Sequence, residues 1–488
     1  METPILHRHR VRRMATVASL VLSTGLASSA LEAQGASTGQ QRFVGNWQGP
    51  LRAGEVTLRL GFSFAADSAG GLAGTLTSID QGGLKLPVTV RVNGDSIRAE
   101  SAPIGAAFAG RLVTADSIDG TWSQGGGSLP LAVARVAALA TPRRPQEPRA
   151  PFPYAQHEAS FESVPGVRLA GTLTVPAGAG PFPAVVLVSG SGPQDRDEEI
   201  LGHRPFAVLA DHLTRSGIAV LRYDDRGVGH STGSFAAATS GDFADDAVAA
   251  VRYLRTRPEV APGKIGVVGH SEGGLIAPMV AVRSTDVAFV VLLAGVGIRG
   301  DSLWMLQGRL LLEAAGLDPG AVEQWARAQS RTIEAVAAEG DSAALVARLR
   351  AIGQEMMAGL TEEQRRAAQF TPAIMEVNIS LMSSPWFRYF LAADPRATLR
   401  QVRVPVLALN GGRDLQVPPR ENLSAIEAAL REGGNRDFRT LELPGLNHLF
   451  QTATTGAPAE YAQIEETMSP AVLNEISTWI LQRFGPRR

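Results

Sequence analysis

Ser271 lies in Gly269-His270-Ser271-Glu272-Gly273, directly after the apolar run Ile265-Gly266-Val267-Val268 and ahead of a small-residue helical pattern. A serine raised on a sharp strand-to-helix turn leaves no space for side chains two residues to either side, so this spacing asks for Gly269 and Gly273. The pentapeptide alone carries little weight in a chain of 488 residues; its context carries more. A hydroxyl is a poor nucleophile unless an imidazole takes its proton, and the imidazole needs a carboxylate to fix its tautomer and stabilise its charged form. Both follow in the chain. Asp414 ends Asn410-Gly411-Gly412-Arg413-Asp414, just past the apolar strand Val404–Leu409, and His448 ends Pro444-Gly445-Leu446-Asn447-His448, just past the strand Phe438–Leu443. Of eight histidines, His7 and His9 lie in the N-terminal segment, and of the other six only His448 follows the last expected strand. Ser271 as nucleophile, His448 as base and Asp414 as its orienting acid would make an acyl-transfer centre.

Such a centre needs an oxyanion hole, because the tetrahedral intermediate carries a negative oxygen that preorganised N–H groups must meet. The amide of Glu272 is one expected donor. The second is expected from the loop Ser189-Gly190-Ser191-Gly192-Pro193-Gln194-Asp195, which follows the strand Pro183–Val188, with Ser191 as the donor. His270 and Glu272 flank the nucleophile. Glu272 could touch a substrate amine or alcohol, or support the site from behind. Asp224-Asp225-Arg226-Gly227-Val228-Gly229-His230-Ser231 is charged enough to suggest catalysis. An Arg-Asp pair tying neighbouring loops is the preferred reading.

These residues must be held by elements of three kinds. Residues 40–138 alternate apolar and polar with period two, as in Val88-Thr89-Val90-Arg91-Val92, and carry turn signals such as Asn93-Gly94-Asp95, so they are expected to form a small all-β barrel or sandwich. Trp47 and Trp122 sit by glycines in similar contexts and are expected to pack its core. Residues 139–156 carry Pro142, Pro145, Pro148, Pro151 and Pro153 and read as a linker. From 157 to 488 strands alternate with helical stretches, which predicts an α/β domain with a mostly parallel sheet covered on both faces. Its clearest strands are Ile218–Tyr223, Ile265–Val268, Val287–Leu293, Val404–Leu409 and Phe438–Leu443. Residues 298–400 interrupt the alternation with helix-period segments, among them Ser302–Ala315, Val322–Ala338 and Ser342–Met357, and predict a helical cap above the sheet. Trp304, Met305, Trp386, Phe387, Tyr389 and Phe390 are candidates to line a substrate pocket there, or to pack the cap onto the core.

Composition narrows the chemistry. A hydrophobic fraction of 44% allows a large core, and a formal net charge of −1 shows neither a basic excess for nucleic acid nor an acidic excess for a cationic partner. The absence of cysteine excludes disulfides, thiolate nucleophiles and cysteine-based metal sites, so the nucleophile must be an oxygen. No His-Glu-x-x-His or closely spaced histidine pair suggests zinc, and no metal is expected. Arg8, Arg10, Arg12 and Arg13 precede an uncharged Ala, Val, Leu and Ser stretch from Met14 to Leu31, which reads as a signal peptide over 1–33 with cleavage after Ala30 or Ala33. The mature protein is then expected to be exported, to periplasm or medium, without stable membrane insertion.

Five segments together resemble the α/β-hydrolase superfamily and, within it, bacterial serine carboxylesterases of the EstD type, also described as serine aminopeptidase-like hydrolases. They are Ser189-Gly190-Ser191-Gly192-Pro193-Gln194-Asp195-Arg196-Asp197-Glu198, Asp225-Arg226-Gly227-Val228-Gly229, Gly269-His270-Ser271-Glu272-Gly273-Gly274, Asn410-Gly411-Gly412-Arg413-Asp414 and Asn447-His448. The chain order Ser, Asp, His is that superfamily's order. The resemblance implies an α/β-hydrolase fold with cap, hydrolysis of short-chain carboxylic esters through an acyl-serine, a small-molecule ester as partner, and no cofactor. Many relatives carry His-Gly where this chain has Ser189-Gly190, which leaves open what supports that loop.

Two other functions remain at this stage. The same groups cleave amides, so an aminopeptidase or acyl-peptidase is the rival enzyme, and Asp195, Asp197, Glu198 and Glu199 could hold a peptide ammonium. A non-catalytic envelope or glycan-binding protein is the other, with the β module as reader; it gains if Ser271 and His448 lie beyond roughly 4 Å.

Overall fold

The computed structural model describes residues 38–485 apart from 54, 55, 69, 126 and 369, and the segment read as a signal peptide lies outside the described residues. The chain divides into two compact units between Pro142 and Arg143.

The first unit is a closed barrel of eight strands: β1 (Gly45–Ala53), β2 (Val56–Ala66), β3 (Leu72–Ser78), β4 (Leu84–Asn93), β5 (Ser96–Ser101), β6 (Ala106–Thr114), β7 (Ser117–Gln124) and β8 (Gly127–Val136). Each strand pairs antiparallel with the next and β8 pairs back onto β1, so no strand edge is left open. The period-two pattern sends Trp47, Phe62, Phe108, Ile118 and Leu131 inward, all at most 1% exposed. Trp47 and Trp122 are both buried there, as core residues.

The second unit holds an eight-stranded sheet: β9 (Ala155–Glu162), β10 (Arg168–Val175), β11 (Phe182–Val188), β12 (Ala219–Tyr223), β13 (Val260–His270), β14 (Val287–Leu293), β15 (Val406–Gly411) and β16 (Phe438–Leu443). Their spatial order is β16-β15-β14-β13-β11-β12-β10-β9. β11 to β16 run parallel, and β9 and β10 form an antiparallel edge. The central parallel strands β11 and β14 are continuous apolar runs because both faces are covered. Along β11, Ala184, Val186 and Val188 pack with the helices Ser240–Arg255, Glu272–Arg283 and Pro419–Glu432. Val185 and Leu187 face the helices Pro205–Arg215 and Pro470–Phe484 on the other side. From β11 the chain goes to β12 on one flank and returns to β13 on the other, so the crevice at the C-terminal ends of β11 and β13 is the switch point where such sheets bind ligands.

Between β14 and β15 the chain is helical, with Gly300–Ala314, Pro319–Ala338, Ser342–Gly359, Pro372–Met382 and Pro385–Ala392 as its longer helices. The second begins three residues before its apolar period does, because the Asp318 carboxylate accepts hydrogen bonds from the amides of Gly320 and Ala321. None of the described helices is long and apolar enough to cross a membrane.

The proline-rich stretch differs from a plain linker. Ala140 N donates to Gln48 Oε1 of the barrel unit (2.8 Å). From 143 the chain is fixed to the sheet unit, where buried Arg144 donates to the carbonyls of Leu201, Gly202, Ala462 and Ile464 at 2.9–3.1 Å. β9 then starts at Ala155, inside the segment read as linker. Composition registers the prolines but not the carbonyls waiting for Arg144, and β9, an edge strand with Gln156, His157 and Glu158 exposed, lacks the apolar run of its neighbours.

Candidate active site

β13 ends at His270 and the next helix starts at Glu272, leaving Ser271 alone on the turn at φ 54°, ψ −113°. This is a costly backbone for serine, and two hydrogen bonds hold it: Ser271 N to Leu293 O (2.8 Å) and Gly274 N to Ser271 O (2.9 Å). The flanking glycines are steric necessities. A Cβ on Gly269 would lie 1.9 Å from Gly273 O, and one on Gly273 would lie 2.1 Å from Val188 O.

Around this turn the structure brings Ser271, His448 and Asp414 together. His448 Nε2 is 3.1 Å from Ser271 Oγ, and His448 Nδ1 is 2.8 Å from Asp414 Oδ2. Asp414 is 2% exposed and its other oxygen accepts from the amides of Gln416 and Val417, both at 2.8 Å, which fixes the carboxylate's orientation. The loops that follow β15 and β16 thus converge on the elbow that follows β13.

The amides expected to serve an oxyanion are free to do so. Neither Ser191 N nor Glu272 N donates to any described residue. The loop after β11 borders the nucleophile, since a Cβ on Gly190 would lie 3.2 Å from Ser271 Cβ. Its support, left open by the Ser189-Gly190 sequence, comes from three bonds. Ser189 Oγ donates to Asp225 Oδ1 (3.1 Å), Gln194 N to Asp225 Oδ2 (2.9 Å) and Gly190 N to Glu198 Oε1 (2.6 Å). Asp225 is therefore a loop tie; burial raises its pKa well above the ordinary carboxyl range, against the lowering by these donors. Arg226 ties to Asp246 (2.7 Å) and Asp224 to Arg196 (2.8 Å), in line with the structural reading of that segment.

The Glu272 side chain turns away from open solvent. Its Oε1 accepts from Ser240 Oγ (2.6 Å) and Trp386 Nε1 (2.7 Å), joining the elbow to the cap, and burial raises its pKa while these two donors lower it. Trp386 therefore reaches the nucleophile's neighbour directly. Phe387 does not fit a pocket-lining role: it is 0% exposed, packed edge-on to Trp304 at 4.9 Å, because the helix Pro385–Ala392 turns that face into the cap core. Phe390, also buried, stacks on Trp386 at 5.3 Å. Trp304 lines a cavity of about 250 Å³ inside the cap with Trp325, Ile352, Met356, Phe370 and Met375.

Sequence reasoning missed one pairing. His270 Nδ1 is 2.9 Å from Glu198 Oε1, and His270 Nε2 is 3.1 Å from His448 O. A histidine at the last position of a central strand, beside the nucleophile, was the available signal. The rest of the acidic cluster is engaged as well: Asp197 pairs with Arg204 and Arg222, and Asp195 Oδ1 accepts from the amides of Asp197 and Glu199.

A family model described as X-Pro dipeptidyl-peptidase (S15 family) matches residues 165–448, from just before β10 to His448. A protein described as Esterase EstD from Thermotoga maritima is 28% identical over 318 residues, covering 64% of this chain and 66% of that protein. The match thus spans slightly less than two thirds of that relative. Among solved structures, a hypothetical protein from Pseudomonas aeruginosa superposes with a TM-score of 0.44 at 17% identity, over 71% of this chain and 98% of that one. An esterase from Pyrococcus furiosus gives 0.41 at 15% identity, over 72% and 100%.

Proposed function

Because the chain belongs to the X-Pro dipeptidyl-peptidase (S15) family, we propose that it is a serine hydrolase of acyl compounds, and specifically one that cleaves carboxylic esters with short acyl groups. The observation that carries this reading is the continuous Ser271–His448–Asp414 chain of contacts at 3.1 and 2.8 Å. In this mechanism His448 Nε2 takes the Ser271 hydroxyl proton as Oγ attacks the ester carbonyl, and Asp414 stabilises the imidazolium that forms. The amides of Glu272 and Ser191 receive the developing oxyanion. Collapse breaks the acyl–oxygen bond, and His448 returns the proton to the leaving alcohol. Water then enters and attacks the acyl-serine while giving a proton to His448, and as the acyl–Oγ bond breaks His448 returns that proton to Ser271 Oγ, freeing the acid and restoring the site. The N-terminal segment, read as a signal peptide, adds export to the proposal.

Amide cleavage by the same groups is the second reading, and the family's description favours it. It requires a site for a peptide ammonium. Three of the four acidic residues considered for that task are turned to other partners: Asp197 to two arginines, Glu198 to His270, and Asp195 to backbone amides. This balance, with an esterase as a relative, favours esters. The binding-protein reading loses ground because 3.1 Å lies within hydrogen-bond reach.

The test is hydrolysis of p-nitrophenyl acetate, butyrate and octanoate beside a panel of aminoacyl p-nitroanilides, by the protein and its Ser271→Ala variant. Ser271-dependent ester cleavage with inert anilides is expected. Comparable anilide rates would make it a peptidase, and silence on both panels would sink the hydrolase reading.

A further inference from the structure

Behind Ser271 stands a second histidine–carboxylate pair that the acyl-transfer steps do not use. His270 and Glu198 are 6% and 3% exposed. Glu198 Oε1 accepts from Gly190 N on the loop after β11 (2.6 Å) and meets His270 Nδ1 (2.9 Å), and the far ring nitrogen meets the carbonyl of His448 (3.1 Å). The string Gly190–Glu198–His270–His448 therefore connects the loop expected to hold the oxyanion to the loop that holds the base. It passes beside the nucleophile, since a Cβ on Gly190 would touch Glu198 Oε1, Ser271 Cβ and His270 Nδ1 at 3.2, 3.2 and 3.6 Å.

The protons on this string follow from its partners. A carbonyl can only accept, so His270 Nε2 must carry a proton. Oε1 of a carboxylate also only accepts, so a second proton must lie between it and Nδ1. A neutral imidazole with an ionised Glu198 would set two lone pairs against each other at 2.9 Å. Both an imidazolium–carboxylate pair and a neutral ring accepting from a protonated Glu198 satisfy these three contacts. In each, one proton bridges Nδ1 and Oε1 while Gly190 N–H donates to Oε1 and Nε2–H to the His448 carbonyl, and Glu198 Oε2 is buried without a partner among the described residues. Glu198 also holds φ at 53°, a left-handed backbone uncommon for glutamate, which a residue fixed at both ends by its contacts can sustain.

We infer that Glu198 and His270 form a protonated strut that sets the spacing between the Ser191 amide and His448 around Ser271. They are positioning residues, acting through the oxyanion loop and the base loop without touching substrate. The inference rests on the hydrolase reading above.

The test separates the two ends of the strut. His270→Asn keeps a donor at the Nδ1 position, facing Glu198, and gives up the His448 carbonyl. His270→Gln keeps a donor at the Nε2 position and gives up Glu198. His270→Ala loses both. On p-nitrophenyl acetate, Asn and Gln should each lower kcat by roughly 10- to 100-fold, Ala by more, with KM changed by less than about threefold. Partial recovery in Asn and Gln relative to Ala is the signature that a purely packing role would not give. Wild-type kcat in all three variants would overturn the strut. So would equal losses in all three that track a fall in melting temperature. Ser271→Ala, run alongside, keeps the two questions apart: if it retains activity the hydrolase reading itself fails, whereas an inactive Ser271→Ala beside unaffected His270 variants rejects only the strut.

Discussion

Two buried histidine–carboxylate pairs stand side by side in this site, with ring centroids 4.9 Å apart. His448 meets Asp414 at 2.8 Å and His270 meets Glu198 at 2.9 Å, so neither distance nor burial tells them apart. The difference is the third partner. The free nitrogen of His448 faces the hydroxyl of Ser271, which can give a proton up. That of His270 faces the His448 carbonyl, which cannot. A dyad becomes a base when its outer contact can exchange a proton, and a brace when that contact can only accept.

The strongest way to break this contrast is to remove the proton path. Ser271→Ala and His448→Ala should each lower kcat by roughly 10⁶ with the protein still folded, checked by ester turnover and circular dichroism. Asp414→Asn should cost roughly 10⁴, because the amide holds His448 in the wrong tautomer. Glu198→Gln, the same chemical change on the other pair, should cost only about tenfold to 100-fold, since there the loss is of position. If the two carboxyl-to-amide variants fell equally, the division into base and brace would fail.

The pairs should also part in how stability follows pH. Burial disfavours charge on His270, but the Glu198 carboxylate, the His448 carbonyl and the Asp414 charge outweigh it, and its pKa is raised. A raised folded-state pKa contributes stability that is present in full below the unfolded value of about 6.5 and is lost as pH rises through the folded value. Urea unfolding from about pH 6 to about pH 9 should therefore show the protein losing its margin over His270→Gln as the solution becomes alkaline. A margin independent of pH would mean that the bridging proton belongs to Glu198 and that the His270 ring is neutral.

The triad and the brace were not equally readable from sequence. Ser271, Asp414 and His448 each follow a strand by a few residues, and strand ends in a parallel sheet converge on one edge, so their order along the chain implies their meeting in space. Val287–Leu293 could be bounded to the residue because a buried parallel strand is an unbroken apolar run, whereas the edge strand Phe438–Leu443 was bounded by its alternation of Phe438, Thr440 and Glu442 with Arg439, Leu441 and Leu443 between polar Asp437 and Pro444-Gly445. Glu198 sits ten residues past β11 in a run of charges, and whether it holds an ammonium, an arginine or a histidine depends on loop geometry that no periodicity encodes. Phe387 failed as a pocket residue for a related reason. Its helix carries Trp386, Phe387, Tyr389 and Phe390 within five positions, and only packing decides which of them turns inward. The hold of Arg144 on four carbonyls was invisible because backbone acceptors leave no trace in composition.

A third carboxyl beside Ser271, that of Glu272, has no histidine and so sharpens the contrast from outside. Its Oε1 takes two donors, Ser240 Oγ from the core and Trp386 Nε1 from the cap, and it is 4% exposed. With no group on this string that could pass a proton to substrate, it should matter to the cap's attachment and little to turnover. Trp386→Phe keeps most of the ring contact with Phe390 and deletes one donor to a buried acceptor, a loss of about 1–2 kcal/mol. Urea unfolding should register that loss, while kcat on p-nitrophenyl acetate should stay within about twofold of the unaltered enzyme. A collapse of kcat without a change in stability would instead place Trp386 and Glu272 in contact with the reacting groups, and would make burial of the carboxyl, with its raised pKa, part of the chemistry.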